Sequence, residues 1–555
     1  MATKIVISSN RSTPVSVLGS NSEFILNKGV TFAASANSIV ATGSATNRDF
    51  YINGIVTSTT GAVFRFGQTG LVDRTSQFVV SSSGRVSGGE EGLVLSGGLD
   101  IINAGTIEAR LTTIAASGNA TRIVNSGLID SSEGSAIVSS GTNTSIINHG
   151  TTSAKMVAVR ASGGNVSVTN NGELSSETST ALYSTGASAL ITNHGTVTAK
   201  GTAILSSGSA AIITNDGKAQ SATDYAIKAA GGEAIVTNSG TISSGSAAVA
   251  ITGDEAILTN DGLITASGYA IVVSADEAII TNNKTITAGG GIKLSGVGAA
   301  VTNHGTITGT TAGAVVIDFT DASGSSLHNK GLISAKSMAF LGGSGVQSVF
   351  NSGTITGSIQ LGGGNDYFDG TGGKVNGTVS GGSGNDIYLV SDSSIKLSEL
   401  ANGGTDLVKS SVSLSLGANF ENLTLTGAAA INAAGNGLAN QLHGNSAANS
   451  INGLSGNDMI WGHAGADILT GGAGADQFVF NKGDGKDIIT DFAATGSIHD
   501  RLDLSGLDSI TSYADLVSNH MTRSGSDVFI NGLNGDSILL KNVTLAALDA
   551  GDFLF

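Results

Sequence analysis

The sequence predicts an all-β protein, a parallel β-helix (β-solenoid) followed by a parallel β-roll and a β-rich C-terminal segment. Three observations carry that prediction. A unit of about 22 residues recurs from 101 to 357, and a unit of nine recurs without a break from Gly435 to Val479. Fixed periods of this kind mark chains that coil and stack one supersecondary unit on the next. The composition agrees: 555 residues hold 81 glycines, a single proline (Pro14) and no cysteine, so tight turns are many and covalent cross-links absent.

Residues 1–100 read as irregular rungs and an N-terminal cap. Phrases such as LNKGVTF and YINGIVTSTTG keep the flavour of the repeat without its spacing. A cap is expected because an open solenoid end exposes a strand edge.

Residues 101–357 read as about twelve rungs. An asparagine falls at Asn103, Asn125, Asn148, Asn170, Asn193, Asn215, Asn238, Asn260, Asn282, Asn303, Asn329 and Asn351. An aliphatic residue stands two places before each, and a glycine two places after, except at Lys284. A third apolar spot follows, as in Ala203-Ile204 and Ala226-Ile227. Apolar positions alternating at period two within short segments give three strands and three turns per rung. The asparagine column is expected to form an internal ladder, as amides do in stacked parallel strands.

A β-helix of this kind suits an extracellular polysaccharide lyase or epimerase, which needs acids and bases clustered on one face. The histidines do not supply that cluster. His149, His194 and His304 each follow the anchor asparagine in a turn, and the closest two are two rungs apart. That is about 9.6 Å at ~4.8 Å per rung. Glu233, Glu255 and Glu277 occupy one position on three successive rungs, joined by Asp254 and Asp276. They read as a well-solvated acidic corner, with weak cation binding as the alternative, and no partner base is evident. Neither H-E-x-x-H nor G-x-S-x-G occurs, so a zinc protease and an elbow-type lipase are not expected. The chain is therefore read as non-enzymatic, with the lyase or epimerase as the alternative.

Residues 358–400 hold a first glycine-aspartate block, GGGNDYFDG and GGSGNDIYL, with Asp366 and Asp386 one coil apart. A spacer is expected at 401–434. Five nine-residue blocks follow in 435–480, of which GLSGNDMIW, GHAGADILT and GGAGADQFV fit G-G-x-G-x-D-x-U-x. Six residues make a turn, and three make a strand with one apolar side chain inward. Each coil spans two blocks, so residues 18 apart stack. Asp458 thus faces Asp476, and Asp467 lies on the opposite edge above Asn449. Asn440 and Asn449 replace aspartate in the first two blocks, which read as weak or empty half-sites. Asp484, Asp487 or Asp491 is expected to close the Asp467 edge. Carboxylates and glycine-turn carbonyls are hard oxygen donors, the ligands Ca²⁺ takes. The candidate set is Asp366, Asp386, Asp458, Asp467, Asp476 and Asp487, with Asn440 and Asn449. The turn glycines that complete it are Gly381 and Gly384, Gly453 and Gly456, Gly462 and Gly465, and Gly471 and Gly474. Several Ca²⁺ ions are expected. Trp461, the only tryptophan, lies beside an inward Ile460 and is expected to face outward, packed on the C-terminal segment rather than stacking a sugar.

From about residue 360 onward the chain resembles the repeats-in-toxin (RTX) family of bacterial calcium-binding proteins. The nonapeptides carry the resemblance, with GGTDLVKSSVSLSLGANFENLTLTG ahead of them and the tail DAGDFLF after them. The resemblance implies export by the type I secretion machinery on an uncleaved C-terminal signal. Residues 481–555 would then be a cap and that signal, ending in Asp549, Asp552, Phe553, Leu554 and Phe555. It also implies a chain unfolded in the calcium-poor cytoplasm that folds on Ca²⁺ outside the cell.

A net charge of −16 argues against a nucleic-acid partner, which requires a basic surface. No apolar run approaches the ~18 residues of a membrane helix, so membrane insertion is not expected. MATKIVISSNRSTPV lacks an apolar signal-peptide core, which places any export signal elsewhere. Together these features point to a secreted bacterial surface or matrix protein, adhesive or structural. Its partners would be cell-surface polysaccharide or further copies of itself.

Overall fold

The computed structural model describes residues 3–17, 20–42, 46–67, 72–496 and 498–555. The chain is all-β, about 3% helical, and coils as a parallel β-solenoid. It divides into two compact units, residues 1–317 and 318–555. Among the described residues no helix is long and apolar enough to cross a membrane.

In the first unit a typical rung contributes three short strands, as at Leu190–Asn193, Thr196–Ala199 and Ile204–Ser206; at Leu263–Val273 and Thr285–Leu294 the last two run on as one. Each pairs in parallel with its equivalent one repeat later: Ile191 opposite Ile213, Val197 opposite Ala219, Ile204 opposite Ile227. The alternating pattern sends Ile191, Val197 and Ile204 fully inward, while Thr192 and Thr198 remain half-exposed. The asparagines form the expected ladder. Asn170 Nδ2 donates to Asn193 Oδ1 at 2.8 Å, and Asn193 Nδ2 to Asn215 Oδ1 at 2.7 Å. The same bond recurs along the column from Asn103 to Asn303. Each buried amide thus finds its partner one rung away, which removes the desolvation penalty it would otherwise carry. The glycine two places on is required by close approach: a Cβ on Gly217 would collide with the carbonyl oxygen of Gly195.

Residues before 100 are rungs of the same stack with longer turns. Phe24, Phe50 and Phe78 align across parallel strands, with ring centroids 6.2 and 6.1 Å apart. Aromatics fill the wider coils that Ile and Val fill later.

In the second unit the first coils carry a short strand and a long one, Ser325–Asn329 with Leu332–Gly342 and Gln347–Asn351 with Thr354–Gly363, and Asn329 Nδ2 donates to Asn351 Oδ1 at 2.8 Å. Residues 401–434, expected as a spacer, contribute coils in register: Leu407 pairs with Ile387 and with Asn422. From Gln441 the coil shortens to 18 residues, with Gln441 opposite Met459 and Met459 opposite Gln477. Ser450 faces Ile468 on the other side. The end differs in kind. Met521–Ser524, Asp527–Leu533 and Asp536–Leu540 form an antiparallel meander, whose last strand pairs in parallel with Lys486–Ile489.

Candidate metal centre

Each nonapeptide folds as its residues require. Gly456 and Gly384 hold φ of +124° and +120°, values that only glycine adopts without strain. The chain then extends for three residues, and its central apolar side chain is buried: Ile460, Leu469 and Phe478 are fully enclosed. The aspartate preceding each strand sits where turn becomes strand, facing the equivalent turn of the preceding coil.

There the aspartates form ladders. Asp476 Oδ1 accepts from the backbone N–H of Asp458 at 2.9 Å, and Asp458 Oδ1 from that of Asn440 at 2.7 Å. On the opposite edge Asp467 Oδ1 accepts from Asn449 N–H at 2.7 Å, and Asp487 Oδ1 from Asp467 N–H at 2.9 Å. The first block follows the same rule. Asp366 Oδ1 accepts from Gln347 N–H, Asp386 Oδ1 from Asp366 N–H and Asp406 Oδ1 from Asp386 N–H, all at 2.7–2.8 Å. One oxygen of each carboxylate is thereby fixed by a backbone donor one coil away.

The other oxygen has no such partner. Oδ2 of Asp366, Asp386, Asp406, Asp458, Asp467 and Asp476 is buried without a hydrogen bond. Burial pushes these acids up: Asp366, Asp406 and Asp458 to about 7, and Asp386 and Asp467 to about 6. Asp487 rises to about 8, through burial first and then the charge of Asp467. A buried carboxylate oxygen with no donor is costly unless a cation faces it. The space beside these oxygens is kept by glycine. A Cβ on Gly462 would stand 2.6 Å from Asp467 Oδ2, and one on Gly453, Gly471 or Gly381 would collide with Oδ2 of Asp458, Asp476 or Asp386. Unpartnered hard oxygens in a cradle kept free of side chains fit a calcium ion.

The structure distributes the other sequence-predicted residues unevenly. Asn440 and Asn449 direct their amides to backbone. Asn440 bonds Asn436 N–H and Phe420 O, and Asn449 bonds Asn445 N–H and Ile431 O. Of the three acids expected to close the Asp467 edge, Asp487 does so. Asp491 instead accepts from Gly471 and Gly472 N–H, and Asp484 from Asn481 N–H. Trp461, the last residue of the strand Met459–Trp461, is half-exposed beside the buried Ile460, and its ring stacks on His443 with centroids 4.1 Å apart. The same strand register that stacks 441–443 on 459–461 explains this. His149, His194 and His304 are exposed; His194 meets Asp216 at 2.9 Å. Glu233, Glu255 and Glu277 are exposed at left-handed turn positions, φ 55–57°.

Four acids escaped the sequence reading: Glu399, Asp406, Glu421 and Asp500. Asp500 closes the Asp458–Asp476 ladder, accepting from Asp476 N–H at 2.9 Å. Glu421 accepts from Asp406 N–H at 2.8 Å. None lies in a block of the nonapeptide pattern. Asp406, 20 residues after Asp386, was within reach of the coil spacing; the loop lengths before Asp500 and Glu421 hid theirs.

Comparison with known proteins agrees with this geometry. No curated protein matches the chain. The family profile of the RTX calcium-binding nonapeptide repeat matches residues 443–478, in four copies. Residues 443–478 are thus calcium-binding nonapeptide repeats of the RTX type, carried within a β-solenoid.

Proposed function

We propose that this is a secreted structural or adhesive protein of a bacterial surface or matrix, whose second unit folds on calcium outside the cell. In this reading Asp366, Asp386, Asp458, Asp467, Asp476 and Asp487 hold the ions. Carbonyls of the turn glycines Gly381, Gly384, Gly453, Gly456, Gly462, Gly465, Gly471 and Gly474 complete them. Asn440 and Asn449 start the roll. The observation that carries the reading is the buried, unpartnered Oδ2 of Asp366, Asp386, Asp458, Asp467 and Asp476, with that of Asp406 as a sixth. At neutral pH such a set opposes folding until a cation arrives, and millimolar calcium is found outside cells rather than in the cytoplasm.

The tail supports the same order of events. Asp549 and Asp552 form a reciprocal cap, Phe553 is buried, and its strand pairs with Leu502 and Asp503. A signal so docked is accessible to a type I exporter before folding, not after. The first unit suits passive structural work, because its buried polar column is satisfied by its own rungs. Electron microscopy of the purified protein with and without Ca²⁺ tests the assembly part, with calcium-dependent lattices or fibres expected. Release of unsaturated uronate from alginate or pectin would replace the structural reading with the polysaccharide-acting one.

A further inference from the structure

We infer a further calcium site of a different kind, built from Asp386, Glu399 and Asp406 and closed by Tyr388. It rests on the reading that the buried carboxylates of this unit take calcium, and it adds a site outside the nonapeptides. Neither Glu399 nor Asp406 belongs to a nine-residue block, and the segment lies well before the matched repeats at 443–478. One carboxylate oxygen from each of the three acids lies within 4.8 Å of the other two. Oxygens bound to one Ca²⁺ at ~2.4 Å stand at most about 4.8 Å apart, so one ion can reach all three.

The cluster is interior. Asp406 is 0%, Asp386 1% and Glu399 7% exposed, and Tyr388 is fully enclosed. Oδ2 of Asp386 and Oδ2 of Asp406 are buried there without a hydrogen-bond partner. The remaining oxygens are held in place by donors. Asp386 Oδ1 and Asp406 Oδ1 take the N–H groups of Asp366 and Asp386. Glu399 Oε2 takes those of Gly382 and Leu400 at 3.0 and 3.3 Å, and Glu399 Oε1 the phenol of Tyr388. A Cβ on Gly381 would collide at once with Asp386 Oδ2, Glu399 Oε1 and Tyr388 Oη. Donor oxygens therefore converge on the spot that this glycine keeps clear.

The chemistry selects the ion. All donors are oxygen, which excludes a thiolate- or imidazole-seeking metal. Three carboxylates bring up to three negative charges into an enclosed place. Mg²⁺ retains several waters and prefers one or two carboxylates, whereas Ca²⁺ accepts a larger, less regular set of oxygens. The site would tie Ile387–Val390 to Lys396–Ser398 and Leu407–Ser410, the three strands around it. It would thus fasten the coils that precede the roll.

Calcium bound per full-length chain, measured by plasma mass spectrometry after equilibrium dialysis, tests the site. Glu399→Gln and Asp406→Asn are each expected to lose one ion relative to wild type, and the double variant no more than one. Unchanged stoichiometry in variants that bind calcium elsewhere would overturn this inference alone. No calcium on the wild-type chain would overturn the proposed function with it. Should either variant misfold, terbium luminescence excited through tyrosine in a Trp461→Phe chain gives a second measure. Tyr388→Phe, which leaves all three carboxylates in place, is expected to remove most of that emission. Undiminished emission would count against the site.

Discussion

Removing calcium from this protein is expected to unfold its second unit at pH 8 but not at pH 5. The sign follows from the buried aspartates. Asp458 is raised from 3.8 to about 7 by burial. A group whose folded pKa is raised contributes stability that is whole below the unfolded pKa, near 3.8, and lost as pH rises through the folded one. For the metal-free roll the loss falls mainly between about pH 6 and 8, the span of Asp386, Asp467, Asp458 and Asp487. At ~1.4 kcal/mol per unit, a shift of about three units puts the cost of ionising Asp458 without metal on the order of 4 kcal/mol. Neighbouring acids titrate together, so their costs do not add in full. Two of them still approach the ~5 kcal/mol at the low end of domain stability. Calcium reverses the sign by favouring the ionised form, so its affinity is expected to fall as protons compete below about pH 7.

Trp461 provides the assay. It is the only tryptophan in the chain and lies on the roll against His443. His443 is held down to about 4 by burial and by His463, so it stays neutral from pH 5 to 8 and adds no titration of its own. Thermal melts followed by tryptophan fluorescence, in chelator and in excess Ca²⁺, should diverge progressively from pH 5 to 8. A chelated melting temperature that is flat or rising over that range would refute the reasoning.

Three further outcomes are expected. Asn193→Ala breaks the ladder at its middle, leaving Asn170 Nδ2 and Asn215 Oδ1 short of a partner. A loss of about 3 kcal/mol is expected, read in urea titration of the first unit by far-ultraviolet circular dichroism. Gly471→Ala drives a Cβ into Asp476 Oδ2, so calorimetry should record fewer calcium ions and a lower melting temperature than wild type. Leu454 occupies a left-handed position, φ +73°, where the nonapeptide pattern has glycine and the equivalent position one coil later is Gly472. Leu454→Gly should therefore raise the calcium-bound stability by about 0.5–1 kcal/mol, measured as a higher melting temperature at fixed Ca²⁺.

Much of the site was legible because stacking converts sequence period into spatial neighbourhood. Asp458 and Asp476 are 18 residues apart and one coil apart, and the bond from Asp458 N–H to Asp476 Oδ1 expresses that directly. The asparagine ladder was legible for the same reason, since each Asn lies opposite the next. What escaped lay where the period breaks. Asp500 follows Asp476 by 24 residues and Glu421 follows Asp406 by 15, yet each carboxylate accepts the backbone N–H of the acid before it. A solenoid turn can lengthen or shorten outside the strands without disturbing strand register, so spacing alone misses them.

The coil could be read from the repeats alone: which residues face inward, which stack, and where glycine must stand. Those follow from local alternation and from contacts between equivalent positions of neighbouring repeats. Three-dimensional packing set how six of the carboxylates divide their two oxygens, one taken by a backbone N–H and the other left buried and bare. It also decided that Tyr388, Glu399 and Asp406 meet Asp386, and that Trp461 rests on His443. These outcomes depend on side-chain direction and on strands brought together by turns of irregular length, and no period in the chain encodes either.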